Sequence, residues 1–399
     1  MAGRKFSKGL TVFACILALI VGLVAGFFLY TYLTREEGGD VLESGTEIGS
    51  SEEGSDSGSG SGSVYESEEI SFHFMELGNG NSGDSIYIKA GDTDILIDAG
   101  SARSSAATTA AYMEQYVTDG TLEYVIVTHA DEDHIAGFAG SSTSASMFDR
   151  FTCEVIIDFP RTDKTTNVYS DYCTQREEAV AEGAAHYTAL ECWNNENGAQ
   201  RVWEVSDGIE MQVLYNYYYE HSSSDENNYS VCVLFSQGDK HFLFTGDLER
   251  EGEEYLVQYN DLPQVELFKA GHHGSYSSSN DCLLDVIQPK IVCVCCCAGN
   301  VEYLPNATSY EDLLHSFPAQ ESVERIAKWT DQVYVTTLGH IYFDEEAGKY
   351  RNDGYTSMNG NIVVTSDREG VTVQCSNNNT LLKDTDWFKK NRKMPEAWA

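Results

Sequence analysis

Positive charge is scarce in this chain of 399 residues. Lysine and arginine together number 25, against 63 aspartate and glutamate, and the formal net charge is −38 at pH 7. A surface of this sign repels phosphate polyanions at long range and lacks the basic footprint of nucleic-acid-binding proteins. We therefore expect no stable nucleic-acid binding, and any phosphate-bearing substrate has to be held locally by metal ions.

The cysteines give no indication of a metal site. Four of the eleven, Cys293, Cys295, Cys296 and Cys297, crowd into the apolar stretch Ile291–Ala298. Adjacent side chains of a strand point to opposite faces, so these thiols cannot all reach one metal ion. We interpret them as small apolar residues of a buried strand. The predicted exported part has ten cysteines, an even number that allows disulfides, but the clustering favours reduced thiols.

One long apolar stretch occurs, from Leu10 to Leu33, and it follows the basic residues Arg4, Lys5 and Lys8. As a helix it would span about 36 Å, enough to cross a bilayer with some tilt. Basic residues before it and acidic residues after it predict a cytosolic N-terminus and an extracellular remainder. Residues 1–34 are therefore predicted to form the N-terminus and a single-pass membrane anchor. A cleaved signal peptide is the alternative.

Large apolar residues are almost missing from residues 35–69, which consist chiefly of Gly, Ser and Glu. Such a composition cannot bury enough apolar surface to fold. We predict a disordered, acidic tether that holds the rest of the chain away from the membrane. Residues 70–399 alternate between strand and helix patterns, which predicts one α/β domain.

The strongest pattern is the stretch Thr128–Gly137, THADEDHIAG, which follows a short apolar strand. Because successive side chains of a strand point to opposite faces, His129, Asp131 and Asp133 can converge while the loop turns His134 back. Imidazole nitrogen and carboxylate oxygen are ligands that suit zinc and manganese. The alternative is an acidic, solvated loop that opens a helix, which accounts for one histidine here better than for two.

Two later strands end in polar residues of the same kind. Asp247 follows the predicted strand His241–Thr245, and His272 and His273 follow the predicted strand Val265–Lys269. Polar groups at the carboxyl ends of successive strands are where an α/β fold gathers a site. An aspartate that begins a helix is often only an N-cap, which is the alternative for Asp247. A histidine pair between two glycines has no comparable packing explanation.

The rest of the chain gives weaker patterns. Residues Gln175–Leu190 are predicted to form one helix. The tail from Leu381 onward is locally basic and aromatic, and we expect it to dock on the domain, with contact to a wall polymer as the alternative.

Four segments together resemble the metallo-β-lactamase superfamily, most closely its ComEC-like branch, which is named for a competence protein. They are LIDAG, THADEDHIAG, LFTGDLE and LFKAGHHGSYSS, beginning at Leu96, Thr128, Leu243 and Leu267. The resemblance covers residues 71–374. It implies an αββα sandwich, in which two packed sheets carry helices on their outer faces. It also implies two divalent metal ions, zinc or manganese, at one sheet edge.

Carried over by position, the resemblance implies how the two ions are held. His129 and Asp131 would hold one ion, Asp133 and His134 would hold the other, and Asp247 would bridge them. Two metal ions placed in this way clamp the attacking and leaving oxygens of a displacement.

The histidine pair is expected to supply the last ligand and a catalytic group. The resemblance implies His273 as the ligand, with His272 beside it as a proton-transfer group. Asp131 or Asp133 would orient the attacking hydroxide, and His272 or His315 would protonate the leaving group.

The sequence departs from the family pattern in two places. The isolated third histidine that usually precedes the bridging carboxylate is missing, and the matching region is Glu226–Ser230. The first metal site is therefore expected to be poor in ligands. The NxYGHPH segment of the branch is also missing, and His315–Pro318 stands in roughly its place.

The chemistry expected of such a site is hydrolysis. Metal ions would neutralise a phosphodiester that the acidic surface otherwise repels, so we expect a membrane-anchored, extracellular phosphodiesterase. Its substrate would be DNA, RNA or a wall polymer such as phosphocholine-bearing teichoic acid. Hydrolysis of an ester, lactone or β-lactam is one alternative. A catalytically inactive, tethered binding module is the other.

Overall fold

The computed structural model describes residues 68–300 and 306–399, which cover the predicted domain of residues 70–399 apart from residues 301–305. The predicted membrane anchor, and the predicted tether up to residue 67, lie outside these ranges. Within them, none of the helices combines the length and the apolar character that crossing a bilayer requires.

The strands follow from alternating apolar patterns and form two sheets. In the described residues and in chain order they are β1 (Ile70–Phe74), β2 (Ile86–Ala90), β3 (Thr93–Ile97), β4 (Thr121–Ile126), β5 (Thr152–Asp158), β6 (Ala185–Thr188), β7 (Val202–Ser206), β8 (Ile209–Val213), β9 (Val233–Gln237), β10 (Lys240–Phe244), β11 (Leu267–Lys269), β12 (Ile291–Ala298), β13 (Val333–Asp344), β14 (Lys349–Ser357), β15 (Ile362–Ser366) and β16 (Val371–Cys375).

Each sheet is antiparallel in one part and parallel in another. The first has the strand order β16-β15-β1-β2-β3-β4-β5-β6, and the second has the order β14-β13-β12-β11-β10-β9-β8-β7. The parallel neighbours run from β3 to β6 in the first sheet and from β10 to β13 in the second. Because parallel strands end at the same edge, residues that follow β3 and β4, or β10 and β11, come close together.

The two sheets pack face to face through phenylalanines. The Phe72 ring on β1 lies 4.6 Å from that of Phe242 and 5.5 Å from that of Phe244, both on β10. Fully burying a side chain of this kind stabilises the fold by roughly 1.5–3 kcal/mol. Leu243, between them in sequence, points to the opposite face of the second sheet and joins a separate apolar cluster.

All but the last of the helices lie between these strands along the chain. Within the described residues they are α1 (Ser105–Met113), α2 (Glu132–Ala139), α3 (Asn167–Glu182), α4 (Ala189–Asn194), α5 (Arg250–Tyr259), α6 (Asp281–Ile287), α7 (Tyr310–Leu313), α8 (Gln320–Ile326) and α9 (Asp386–Asn391).

Helices cover the outer face of both sheets. On the first sheet, His73 points away from the inner face of β1, and its Nδ1 lies 2.7 Å from the hydroxyl of Tyr112 on α1. On the second sheet, Leu243 shares its cluster with Leu256 of α5 and Leu284 of α6. The predicted αββα sandwich is confirmed.

The cysteine-rich strand is β12, and all eight of its residues are buried. Cys293 and Cys295 belong to the core cluster that the two sheets share, whereas Cys296 belongs to the outer cluster of the second sheet. All ten cysteines in the described ranges are free. The interpretation of these thiols as small apolar core residues is therefore confirmed.

The prediction of one continuous helix over Gln175–Leu190 is confirmed only as far as Glu182 and is wrong beyond it. Helix α3 ends before Gly183, which adopts a φ of +126°. The chain then adds the edge strand β6, parallel to β5. Helix α4 starts only after Thr188, whose side chain forms a capping box with Glu191. The local composition favoured helix throughout, but pairing with β5 turned part of it into a strand.

The predicted docking of the tail is confirmed. Phe388 on α9 is fully buried in the outer cluster of the second sheet. The Arg392 guanidinium is also buried and donates hydrogen bonds to the carbonyl oxygens of Ser316 and Pro318.

Candidate metal centre

The candidate centre forms where strands of the two sheets end. Helix α2 begins directly after Asp131, shortly beyond β4, and Asp247 follows β10. The turn Gly271–Gly274 follows β11, and its two histidines have left-handed backbone angles, with φ of +47° at His272 and +52° at His273. Such angles cost roughly 1–2 kcal/mol per residue for side chains other than glycine. The strained turn presents the histidine pair toward Asp247.

Four of the predicted ligands meet in one cluster. His134 Nε2 lies 3.1 Å from Asp247 Oδ2, and His273 Nε2 lies 3.2 Å from the same oxygen. His273 Nε2 is also 3.1 Å from Asp133 Oδ2. One donor atom from each of the four residues lies within 4.8 Å of all the others. Three of the residues are buried, and Asp133 is partly exposed.

The donor atoms fit a divalent metal ion. His134 Nε2 is buried and makes no hydrogen bond, although Asp247 Oδ2 is near it, and the buried His129 Nε2 has no hydrogen-bond partner either. A buried nitrogen without a partner is costly unless something else binds its lone pair. Two imidazoles and two carboxylates are a set that suits zinc or manganese.

Buried acceptors on the far side of each ring orient the two histidines. His134 Nδ1 donates to Asp98 Oδ2 at 2.7 Å, and Asp98 is itself held by the backbone N–H and the hydroxyl of Thr128. His273 Nδ1 donates to the carbonyl oxygen of Cys295 at 2.9 Å. With the proton on Nδ1, the Nε2 lone pair of each ring faces the cluster, which is the orientation that metal binding requires.

A buried lysine lies beneath the cluster and was missed from the sequence. Lys269 Nζ is 2.5 Å from Asp84 Oδ2 and 3.1 Å from Asp247 Oδ1. The alternation of β11 could have predicted that Lys269 is buried, because Lys269 shares the inward face of the strand with the buried Leu267. Asp84 lies just before β2 and gave no local signal at all.

The charges of the cluster are strongly coupled. Burial alone would raise the pKa of Asp247, but His134, His273 and Lys269 outweigh burial and hold that pKa well below its ordinary value. For His134, burial would lower the pKa, and the charge of Asp247 raises it well above the ordinary value. Positive charge at this point therefore stabilises the ionised carboxylates, and a divalent ion can also supply that charge.

The other two predicted ligands, His129 and Asp131, lie beside this cluster but are not members of it, and the His129 ring is 4.2 Å from the His134 ring. His129 Nε2 is 3.6 Å from Asp131 Oδ2. Asp131 Oδ1 accepts a hydrogen bond from Lys164, a residue that the sequence patterns did not indicate. In the region without the usual third histidine, Ser230 Oγ lies 3.5 Å from His129 Nδ1. The structure thus groups the ligands of one predicted metal position and leaves two residues at the other.

The two predicted proton-transfer histidines differ in placement. His272 lies at the rim of the cluster, with Nε2 4.0 Å from Asp247 Oδ2 and Nδ1 3.5 Å from Glu249 Oε1. His315 is not brought to the cluster. It is exposed, pairs with Glu321 at 3.3 Å and lines a different cavity beside Tyr276. Among the described residues, none of the contacts of His315 favours a catalytic role for it.

An open cleft of about 420 Å³ leads to the cluster. Its described lining is polar throughout: Asn81, Ser82, Ser101, Asp131, Glu132, Asp133, Lys164, Asn227, Asp247 and His272. A larger cavity of about 680 Å³ lies beside Arg103 and Asp171, and none of its lining residues belongs to the ligand cluster.

A buried glutamate supports the segment that follows the histidine pair. Glu253 on α5 accepts hydrogen bonds from the backbone N–H of Ser279 at 2.6 Å and from that of Asn280 at 2.9 Å. Burial raises the pKa of Glu253 to about 7, although these hydrogen bonds oppose the shift.

Comparison with known families agrees with this geometry. The sequence model of the Metallo-beta-lactamase superfamily matches residues 78–142 and 225–298. These two segments contain all six predicted ligands, including the four of the cluster. The two matched segments therefore belong to a metallo-β-lactamase domain, the fold of metal-dependent hydrolases, and they hold the candidate metal site.

The similar curated proteins include competence proteins, in keeping with a ComEC-like branch. ComE operon protein 3 of Bacillus subtilis is 23% identical over 190 residues, which are 46% of this chain and 21% of that protein. Recombination protein 2 of Haemophilus influenzae is 24% identical over 173 residues, 43% of this chain and 17% of that protein. Competence protein ComA of Neisseria gonorrhoeae is 32% identical over 93 residues, 23% of this chain and 13% of that protein. The chain thus spans about a fifth or less of the length of these relatives.

Among solved structures, the metallo-beta-lactamase fold protein YhfI from Bacillus subtilis aligns with 51% of this chain and 71% of its own. The identity is 11% and the TM-score is 0.31.

Proposed function

We propose that this chain is a metal-dependent phosphodiesterase that an N-terminal membrane anchor holds at the outer surface of the cell. The observation that carries the proposal is the cluster of Asp133, His134, Asp247 and His273 at the end of an open, polar cleft. A divalent ion, zinc or manganese, held there would polarise a phosphoryl oxygen and lower the pKa of water toward neutrality.

Two side chains are suited to move protons during hydrolysis. Asp133 lines the cleft with a side chain that is 37% exposed, so its carboxylate can orient and deprotonate an attacking water. His272 stands at the rim and can protonate the leaving oxygen. Burial would lower the pKa of His272, but the hydrogen bond with Glu249 outweighs burial and raises it, which keeps an acid available.

The cleft suits an anionic, hydrophilic group. None of the described residues that line it is apolar, whereas β-lactam and ester pockets commonly need apolar walls to hold an acyl group. Lys164 and a bound ion would supply the positive charge that a phosphodiester requires. With a net charge of −38 on the whole chain, attraction to a phosphodiester is confined to this point and does not extend over a binding groove.

The substrate is a phosphodiester-containing polymer outside the cell, either DNA or RNA or a teichoic acid that carries phosphocholine. Stable nucleic-acid binding is not part of the proposal, because the acidic surface opposes it. The location rests on the apolar stretch Leu10–Leu33 and the basic residues before it.

The proposal is tested on the full chain in mild detergent. Metal content and turnover of bis-p-nitrophenyl phosphate are measured for the wild type, Asp133→Asn and the control Asp281→Asn, which alters an exposed carboxylate paired with Lys328. We expect metal-dependent turnover that falls by about 10²–10⁴-fold in Asp133→Asn and stays unchanged in the control. Absence of bound metal would contradict the proposal.

Parallel assays then compare substrate classes. DNA, RNA and phosphocholine-bearing teichoic acid are offered at equal phosphate concentration and moderate salt. Bound metal without turnover of any phosphodiester would contradict the assignment as a phosphodiesterase. Turnover of esters, lactones or β-lactams would then define a different hydrolase, and no turnover at all would define a binding module.

A further inference from the structure

Lys164 occupies the mouth of the cleft beside the first predicted metal position. It lies between β5 and α3, and its ammonium donates a hydrogen bond to Asp131 Oδ1. Its backbone N–H donates to Thr162 Oγ1 at 3.0 Å, which helps to fix the loop. The Lys164 side chain is one-third exposed and lines the same cleft as Asp133 and Asp247.

The first position offers too few protein ligands to hold a metal ion tightly. His129 and Asp131 approach each other at 3.6 Å, but no further His, Cys, Asp or Glu of the described residues completes a three-ligand group with them. Zinc sites in proteins use at least three protein ligands. Ser230 stands near His129 where the usual third histidine is missing, and its hydroxyl already donates to the carbonyl oxygen of Asn227 at 2.7 Å.

The surroundings of Lys164 favour a permanent positive charge. A lysine is positively charged at neutral pH, and the Asp131 carboxylate is in direct contact with this ammonium. An ammonium group carries three hydrogen-bond donors and no acceptor, so it can hold a carboxylate and still face an anion in the cleft.

We propose that the ammonium of Lys164 replaces the first metal ion, so that the centre binds one divalent ion, at Asp133, His134, Asp247 and His273. The inference rests on the proposed metal-dependent hydrolysis at this site. In this arrangement Lys164 neutralises one oxygen of the substrate phosphate by charge and hydrogen bonding. A second Lewis acid is then not needed to balance the anion.

The test counts metal ions rather than turnover. The full chain in mild detergent is titrated with Mn²⁺, and bound ions are counted by elemental analysis and by the electron paramagnetic resonance spectrum. The variants are Lys164→Met, Lys164→Arg and the control Lys290→Met, which removes an exposed lysine paired with Glu266. A chelator competition gives the affinity of each ion.

We expect one Mn²⁺ per chain with the spectrum of an isolated ion in the wild type, Lys164→Arg and Lys290→Met. Lys164→Met exposes Asp131 and His129, and should bind a second, weaker ion whose spectrum is broadened by magnetic coupling to the first. Adding Asp131→Ala to Lys164→Met should remove this second ion.

Two coupled ions in the wild type would overturn the inference, and so would a single ion in both the wild type and Lys164→Met. Either result leaves the proposed hydrolytic function standing, provided that turnover still depends on metal. Absence of bound Mn²⁺ in every variant would instead contradict both the inference and the metal centre on which the proposed function depends.

Discussion

Lys269 and Asp247 form a buried ion pair beneath the candidate metal centre, with Nζ 3.1 Å from Oδ1. The same ammonium pairs with Asp84, so one lysine compensates two buried carboxylates. Asp247 meanwhile approaches both His134 and His273. The stability of the core and the charge of the site are therefore linked through Asp247.

Replacing Lys269 by methionine should destabilise the metal-free protein by about 3–5 kcal/mol, because removal of one partner leaves buried carboxylates uncompensated. Saturating Zn²⁺ should recover part of this loss, since the ion then balances Asp247. Urea unfolding with chelator and with metal measures both effects. The control Lys290→Met breaks an exposed pair and should cost no more than about 1 kcal/mol. Equal losses in the two variants would contradict the linkage.

Asp98 should control metal affinity without touching the ion. Its carboxylate accepts a hydrogen bond from His134 Nδ1, so Asp98→Asn weakens the orientation and basicity of that ligand. We expect metal affinity to fall about 10–100-fold, while turnover at saturating metal changes less. Chelator competition measures the affinity. Asp94→Asn, which alters a buried carboxylate paired with Lys89, is the matched control and should leave affinity unchanged.

Glu253 should give the fold a measurable dependence on pH. Burial raises its pKa from 4.5 to about 7, so the folded state binds this proton more tightly than the unfolded chain does. Stability from this group is fully present below pH 4.5 and is lost as pH rises through 7, by on the order of 3 kcal/mol. Urea unfolding from pH 5 to pH 8, with chelator present, should show the decline.

Glu253→Gln should flatten that decline, because the amide does not titrate. The neighbouring Glu254 is exposed, so Glu254→Gln should keep the pH dependence of the wild type. Parallel profiles for the wild type and Glu253→Gln would show that another group causes the dependence.

Thiol reactivity should follow burial. Cys173 and Cys282 are half-buried, and the other eight described cysteines are buried. Burial raises the pKa of the thiols on β12, which leaves little reactive thiolate at neutral pH. Native alkylation mapped by mass spectrometry should label Cys173 and Cys282 first and the β12 cysteines only after unfolding. Equal labelling rates for Cys173 and Cys295 would contradict this packing.

Residues close together in sequence were the predictable part of the site. The stretch Thr128–Gly137 has its histidines and carboxylates close together directly after a strand. The strands before Asp247 and His273 have clear apolar patterns. Sheet edges were also predictable, because parallel strands bring such residues together. The family resemblance then supplied the layer order, which local patterns alone do not contain.

The missed residues act only through tertiary contacts. Lys164 lies in a loop, and its pairing with Asp131 depends on how that loop folds over the cleft. Asp84 and Glu253 look like ordinary surface carboxylates in sequence and become important only because they are buried. Strand β6 was missed for a related reason, since its pairing with β5 outweighed the helical tendency of the segment.

The position of β1 also has a consequence for biogenesis. Ile70 pairs with Ala90 on one side and with Ser366 on the other, so β1 gains its second neighbour only after the entire second sheet has been synthesised. Until then, the growing chain has a β1 strand that is paired with β2 on one side and unpaired on the other. Such an edge is a template for aggregation. A chain cut short before Ile362 should therefore require chaperones or be degraded, even though every residue of the candidate metal centre is already present.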